Sequence, residues 1–241
     1  MQYWLVMPAA GAGRRFGGQK QFATLGGARS VLEVALQPFL EDPQCAGGSI
    51  ALAPGEPRRS ELAQHIPARF ALIDGGAERV HSVINGLAAL AGRATATDWV
   101  LVHDAVRPCL SAADLARLLA SAPEAGEGAL LAVPVADTVK QVQPAAPGAP
   151  DGVRRCAATV PRESLWLAQT PQMFRHAPLR AALERALGSG RIPTDEAQAM
   201  EWEGVAALLV RACDHNIKVT NAADLGLAQA ILAARAEQAW Q

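Results

Sequence analysis

Neither sign of charge prevails in this chain: 22 Lys and Arg stand against 23 Asp and Glu, a formal net charge of −1. That balance excludes a broadly basic nucleic-acid surface, so any bound anion must be held by a local cluster of cations. Cysteine is scarce. Cys45, Cys109, Cys156 and Cys213 have no CxxC spacing and read as reduced thiols of a cytoplasmic protein, not as a disulfide frame or zinc site. No uncharged apolar run reaches ~18 residues, so no membrane span is expected. The N-terminal MQYWLVMPAAGAGRRF has no basic segment ahead of its apolar run, so no secretory signal is expected either. Disorder is excluded, because half of the residues are hydrophobic and only 19% are charged. What remains is a globular chain of 241 residues, read as one domain over 1–241 with no fused second enzyme.

Short apolar runs alternate with helical patterns. Strands are expected over 3–8, 49–53, 70–74, 99–103 and 130–135, bounded by Gly, Pro or Asp. Ser30-Val-Leu-Glu33 spells a capping box, opening a helix to about Leu40 that Asp42-Pro43 stops. Further helices are expected over 58–65, over 78–91 from the spacing of Val80, Val83, Ile84, Leu87 and Leu90, and from about 221 to 236. Ser111-Ala-Ala-Asp114 spells a second box and opens one more. Doubly buried strands alternating with helices predict an α/β fold, a mostly parallel sheet with helices on both faces. Ligands of such sheets bind beyond the carboxyl ends of the strands. One segment breaks the pattern: Val139–Val142 and Val153–Ala158 flank a tip rich in Pro, Gly and Ala. It predicts a projecting β-hairpin, about 138–160, that packs on something else because an isolated hairpin is marginal. A dimerisation arm is the expected use.

The unusual residues sit after the strands. Pro8-Ala-Ala-Gly-Ala-Gly-Arg-Arg-Phe-Gly-Gly-Gln-Lys20 follows the first, and its glycines can turn successive N–H groups toward an anion. It is no Walker A loop, since Gln21 follows Lys20, and Phe16 occupies the place of the third glycine of a dinucleotide fingerprint. Arg14, Arg15 and Lys20 fall within seven residues, a charge that suits a triphosphate better than a pyrophosphate held by amides. Gly75-Gly76 precedes the helix over 78–91, on which Arg79, Ser82 and Gly86 lie away from the apolar stripe. They form either a binding edge or a solvated polar face. Asp104, in His103-Asp-Ala-Val-Arg-Pro108, ends a central strand, where a carboxylate is costly unless it serves a cation or ligand. It could take Mg²⁺ directly or through water, with Arg107 forking onto a phosphate; a structural Asp–Arg pair is the alternative. His103 reads as a packing residue. Asp137-Thr-Val-Lys140, Arg162 with Thr170-Pro-Gln172, and Thr194-Asp-Glu-Ala197 are smaller clusters, with Thr194 a candidate helix cap. Lys218 is expected in a late strand. No metal-ligand spacing of His and Cys occurs, nor any signature of covalent catalysis.

The segments PAAGAGRRF, QKQF, GGAERVHSVINGL, VLVHDAVRP, PVADTVK, VPRESLWLAQTPQMF, TDEAQAME and NIKVTNAADL, in order from residue 8 to about 225, together resemble the 2-C-methyl-D-erythritol 4-phosphate cytidylyltransferase family of the non-mevalonate isoprenoid pathway. The resemblance implies a Rossmann-like nucleotidyltransferase with a β-arm that embraces a second subunit, making a homodimer. It implies that CTP is held, with Mg²⁺, by Pro8, Ala9, Ala10, Gly11, Gly13, Arg14, Gly76, Ala77, Ser82, Asp104 and Ala105, while Arg15 and Lys20 stabilise charge at the α-phosphate. The polyol phosphate would meet Arg107, Thr170, Thr194, Asp214 and Lys218, and Thr138 and Arg162 would reach it from the partner's arm. Ala77 stands where some members carry an acid, and two positions depart from the family pattern: Gln19 replaces the Pro usual before Lys20, and Val106 replaces a usual Ala. A cytidylyltransferase for another polyol phosphate such as ribitol 5-phosphate, a silent nucleotide-binding subunit and a dinucleotide oxidoreductase are the rival readings.

Overall fold

The computed structural model describes every residue except 14, 15, 26, 28, 145–149, 151 and 239–241. In chain order its elements are β1 (Tyr3–Pro8), a 3-10 turn (Lys20–Phe22), α1 (Val31–Glu41), β2 (Cys45–Leu52), α2 (Arg59–His65), β3 (Phe70–Asp74), α3 (Arg79–Ala88), β4 (Trp99–Val102) and α4 (Ala112–Ala120). There follow β5 (Gly128–Pro134), β6 (Val139–Val142), β7 (Cys156–Val160), β8 (Trp166–Arg175), α5 (His176–Gly188), α6 (Glu196–Glu201), β9 (Leu208–Arg211) and α7 (Ala222–Gln238). Seven strands form one sheet in the order β3-β2-β1-β4-β8-β5-β9. All run parallel except β8, which is antiparallel to both of its neighbours. The strand order reverses between β1 and β4, and such a switch point opens a crevice at the carboxyl ends of the strands.

Alternation along the strands feeds two cores, as the period of two requires. Tyr3, Leu5 and Met7 of β1 and Leu101 of β4 pack with Leu32, Leu36 and Phe39 of α1, Leu62 of α2 and Leu115 and Leu118 of α4. Val6, Val100 and Val102 face the other way, onto Val80, Val83 and Leu87 of α3, Leu179 and Leu183 of α5 and Met200 of α6. Helices therefore cover both faces, as expected from the sequence. A third cluster joins α7 to α1 through Val31, Val34, Val219 and Ala228. Among the described residues no helix is long and apolar enough to cross a membrane. All four cysteines are free.

Several expectations are corrected. The second strand begins at Cys45, four residues earlier than its apolar run suggests, because Gly47 and Gly48 extend it: a Cβ at Gly48 would stand 2.3 Å from the Leu5 carbonyl oxygen. Lys218 lies in no strand; the late strand is β9 at Leu208–Arg211, and Lys218 sits in the loop that follows it. Ser30 and Glu33 close a full capping box, whereas Ser111 accepts from the Asp114 amide without the reciprocal bond, Asp being one methylene shorter. The hairpin exists, with its return strand at Cys156–Val160, later than expected. Strand β8 and helix α5 have no counterpart among the elements expected from the sequence, and α6 is announced there only by the candidate cap at Thr194.

Helix α3 lies close against the sheet at Gly86. Ser49 of β2 donates its hydroxyl to the Gly86 carbonyl at 2.9 Å, and a Cβ at Gly86 would come within 2.5 Å of Val6 Cγ1 and 2.9 Å of Ser49 Oγ. Alanine favours a helix over glycine by ~1 kcal/mol, but overpacking a β-branched neighbour costs about 1–3 kcal/mol. Gly86→Ala is expected to destabilise the protein by up to about 2 kcal/mol, read as a lower urea midpoint at unchanged m.

Candidate active site

The crevice at the switch point is a cleft of about 460 Å³. Its walls are the loop after β1 (Pro8–Gly13), Lys20 and Gln21, the segment from Gly76 to Arg79 with Ser82, Asp104 to Val106 after β4, and Lys218. Of the residues singled out in the sequence, the cleft thus gathers Pro8, Ala9, Ala10, Gly11, Gly13, Lys20, Gly76, Ala77, Ser82, Asp104, Ala105 and Lys218. Arg14 and Arg15 lie outside the described residues.

Backbone geometry shapes the nucleotide-facing walls. Gly13 has φ of 63°, and a Cβ there would run into the Gly18 carbonyl oxygen, so the loop requires glycine. Gln21 is buried and donates its amide to the carbonyl oxygens of Ala9 (2.8 Å) and Gly11 (3.1 Å), stapling the 3-10 turn to the first loop. Gly75 has no room for a side chain between Ala10 and Ser82. The Gly76 amide donates to Ser82 Oγ at 3.1 Å. Ser82 and Gly86 are both buried, so the polar row of α3 faces the sheet and the cleft instead of solvent.

Asp104 forms the floor. Its Oδ1 accepts from Arg79 Nε at 2.9 Å, its Oδ2 is 2.7 Å from Lys218 Nζ, and Arg107 Nε stands 3.9 Å away. Burial by itself would push this carboxyl up, but the surrounding Arg79, Lys218 and Arg107 charges hold it well below the usual carboxylate range. Arg79 also forks onto buried Glu196, Nη1 to Oε1 at 2.6 Å and Nη2 to Oε2 at 3.0 Å. Burial opposes the charge on Arg79, and the two carboxylates overcome that penalty and keep it protonated. Arg107 donates to the Asn216 carbonyl at 2.7 Å and is pulled down by burial. The Arg79–Glu196 fork is invisible in the sequence, where Arg79 shows only as part of a polar row and Glu196 only as an acid of a helix first turn.

Beneath the floor runs a neutral relay. The Asp104 amide donates to Thr170 Oγ1 at 3.0 Å; Thr170 Oγ1 is 3.1 Å from His103 Nδ1, and His103 Nε2 is 3.2 Å from the Arg107 carbonyl. A carbonyl only accepts, so Nε2 carries the proton, Nδ1 accepts, and the Thr170 hydroxyl donates to it. Asn216 adds bonds from its amide to Gln169 Oε1 and the Thr170 carbonyl, both 2.9 Å. Thr170 is thereby buried behind Asp104 and does not line the cleft.

Four other candidates stand apart from the cleft of this chain. Thr138 and Arg162 are exposed at the base of the hairpin, where Arg162 bonds the Ala136 carbonyl. Asp214 is exposed in the loop after β9. Thr194 is exposed and does not cap α6; Asp195 does, accepting from the Gln198 amide at 2.9 Å. The Thr194 amide instead donates to Gln198 Oε1.

The fold and this cleft define a class: an α/β nucleotidyltransferase whose glycine-rich loop and clustered cations meet at the switch point of a parallel sheet. The sequence profile of the 2-C-methyl-D-erythritol 4-phosphate cytidylyltransferase family matches residues 3–234. A relative of that name from Halorhodospira halophila is 47% identical over 240 residues, covering 97% of this chain and 95% of its own. Another from Acidithiobacillus ferrooxidans is 47% identical over 243 residues, 98% of each chain. The crystal structure of the protein so named from Thermus thermophilus superposes with a TM-score of 0.75 at 34% identity, covering 96% of this chain and 98% of that one. The chain belongs to the 2-C-methyl-D-erythritol 4-phosphate cytidylyltransferase family.

His103 offers a check on the relay. Burial drives its pKa from 6.5 down to about 4. Below pH 6.5 the unfolded chain therefore takes up a proton that the folded one refuses, and stability falls as pH drops from 6.5 toward 4, flattening below. The full effect is roughly 3 kcal/mol. Urea midpoints across this window should slope less steeply in His103→Gln than in the unmodified protein; equal slopes would remove His103 from the account.

Proposed function

We propose that this chain transfers the cytidylyl group of CTP to the phosphate of 2-C-methyl-D-erythritol 4-phosphate, yielding 4-diphosphocytidyl-2-C-methyl-D-erythritol and pyrophosphate. The observation that carries the reading is the convergence of the glycine loop, Lys20 and the Asp104 cation cluster on one cleft, in a chain of this family. An oxygen of the acceptor phosphate attacks the α-phosphorus in line, a new P–O bond forms, and the bond to the β-phosphate oxygen breaks with pyrophosphate carrying away the electron pair. A phosphate is already nucleophilic near neutral pH, so no side chain has to act as base. Catalysis is then positioning plus charge neutralisation.

The residues divide this work. Amides of Pro8–Gly13 and the Gly76–Ser82 wall would hold the nucleotide, and Lys20 with Arg14 and Arg15 would neutralise charge gained on the phosphates. Lys218 and Arg107 would meet the acceptor phosphate, joined by Thr194 and Asp214 from neighbouring loops, with Thr170 supporting Asp104 from behind. Mg²⁺ belongs to the reading. No three His, Cys, Asp or Glu side chains converge among the described residues, so a protein-only metal cage is not the fit. Asp104 as a lone carboxylate suits a hard cation that takes its other ligands from phosphate and water. Asp104 would hold that ion directly or through water, and the ion when bound offsets triphosphate charge.

The chain is read as a single cytoplasmic domain whose arm, 138–160, clasps a second copy. Thr138 and Arg162 lie exposed at the arm's base, away from their own cleft, and this supports their serving the cleft of a partner in a homodimer.

Pyrophosphate release with CTP and Mg²⁺ is expected with methylerythritol 4-phosphate and not with ribitol 5-phosphate; the reverse pattern would overturn the acceptor. Lys20→Ala should lower kcat about 10²–10³-fold with little change in KM, and a change confined to KM would refute its role. Lys20→Ala and Arg162→Ala, each weak alone, should after subunit exchange regain about a quarter of full activity, because a mixed twofold dimer keeps one intact site. No recovery would remove the shared site.

A further inference from the structure

Lys20 reaches the cleft from a 3-10 turn whose neighbouring residues are held by side-chain bonds. On the residue before it, the Gln19 amide donates Nε2–H to Glu56 Oε2 at 2.9 Å, and its Oε1 accepts from Arg58 Nη1 at 2.9 Å. The same Arg58 nitrogen donates to Glu56 Oε1 at 2.9 Å, closing a ring of three side chains. The residue after Lys20, Gln21, is stapled to the first loop as described. Two residues on, the Arg58 guanidinium lies 4.6 Å from the centre of the Phe22 ring.

Glu56 is the odd member. Its side chain is wholly buried, in the loop between β2 and α2, and a buried carboxylate is costly unless fully bonded. It accepts from Gln19, from Arg58 Nη1 and from the Arg58 amide at 3.2 Å. Glu56 only accepts and Arg58 only donates, so the amide of Gln19 fits between them in one orientation alone. Reversing it would set oxygen against carboxylate and nitrogen against guanidinium. The ring thus fixes the side chain of the residue that leads into Lys20, while the Gln19 carbonyl accepts from the Phe22 amide at 3.0 Å. A lysine ammonium on four flexible carbons gains most from such a mount.

We propose that Glu56 is a positioning residue for Lys20, acting through Gln19 and Arg58 to hold the 3-10 turn in its reactive setting. The inference rests on the role given to Lys20 in the proposed reaction. Glu56→Gln and Gln19→Ala should each lower kcat about tenfold with KM for CTP changed less than threefold, and should cost nothing further in a Lys20→Ala background. Gln19→Pro should recover at least half the rate lost in Gln19→Ala, because the Gln19 φ of −75° already suits proline. A second readout needs no turnover. The chain has only three lysines, Lys20, Lys140 and Lys218, so ¹³C-lysine labelling gives Lys20 its own side-chain resonances. These should sharpen toward a mobile lysine in Gln19→Ala and Glu56→Gln while those of Lys140 stay put. Unchanged kcat in both variants of an active enzyme, losses that multiply with Lys20→Ala, or unmoved Lys20 resonances would overturn the proposal. An unmodified protein that releases no pyrophosphate would strike the reaction, and the Lys20 resonances would still decide the tether.

Discussion

A carboxylate buried at the end of a central strand is the constraint around which the cleft is arranged. Asp104 cannot stay ionised there without partners, and those partners come from far along the chain: Arg79 from the start of α3, Lys218 from the loop after β9, Arg107 from its own loop. Arg79 in turn requires Glu196, which ties α6 to the same point. Two buried carboxylates thus gather three cations, a surplus of one positive charge, and Arg79 and Lys218 of that set line the cleft.

The cations are not interchangeable. Arg79 uses its Nε on one carboxylate and both terminal nitrogens on another, a planar division of labour that an ammonium cannot reproduce. Lys20 and Lys218 supply compact charge at the cleft wall instead. A chain that otherwise draws its positive charge from arginine places two of its three lysines here. Forked groups build the frame, and point charges are left to face what enters.

The frame of the fold is legible in the sequence because β1 and β4 carry doubly buried apolar runs and α1 and α3 carry unambiguous caps or stripes. The loop ends that make the cleft follow from that topology alone. What stays hidden is instructive. Strand β8 mixes Gln, Thr, Pro and Gln with apolar residues, so it shows no clean period, yet those polar residues are what it contributes: Gln169, Thr170 and Gln172 bond Asn216, the Asp104 amide, Asp195 and the Ala197 amide. The Arg79–Glu196 fork spans 117 positions, and no local spacing can announce such a pair. The β-branched flanks of Lys218 suggest a strand; in the structure that stretch is loop, bonding Val219 to the Val106 carbonyl without joining the sheet.

Strand β8 also works as a ruler. It begins with Trp166 and Leu167, exposed beside the hairpin, and four residues after Trp166, where its register against β5 shifts by two residues, it delivers Thr170 beneath Asp104. Inserting or deleting a single residue in that interval would carry Thr170 away from its place and strip the Asp104 amide of its acceptor. Evolution and protein engineering therefore face an asymmetric freedom. The hairpin can change length at its Pro- and Gly-rich tip, while the ten residues of β8 are a fixed dimension shared by the arm and the cleft.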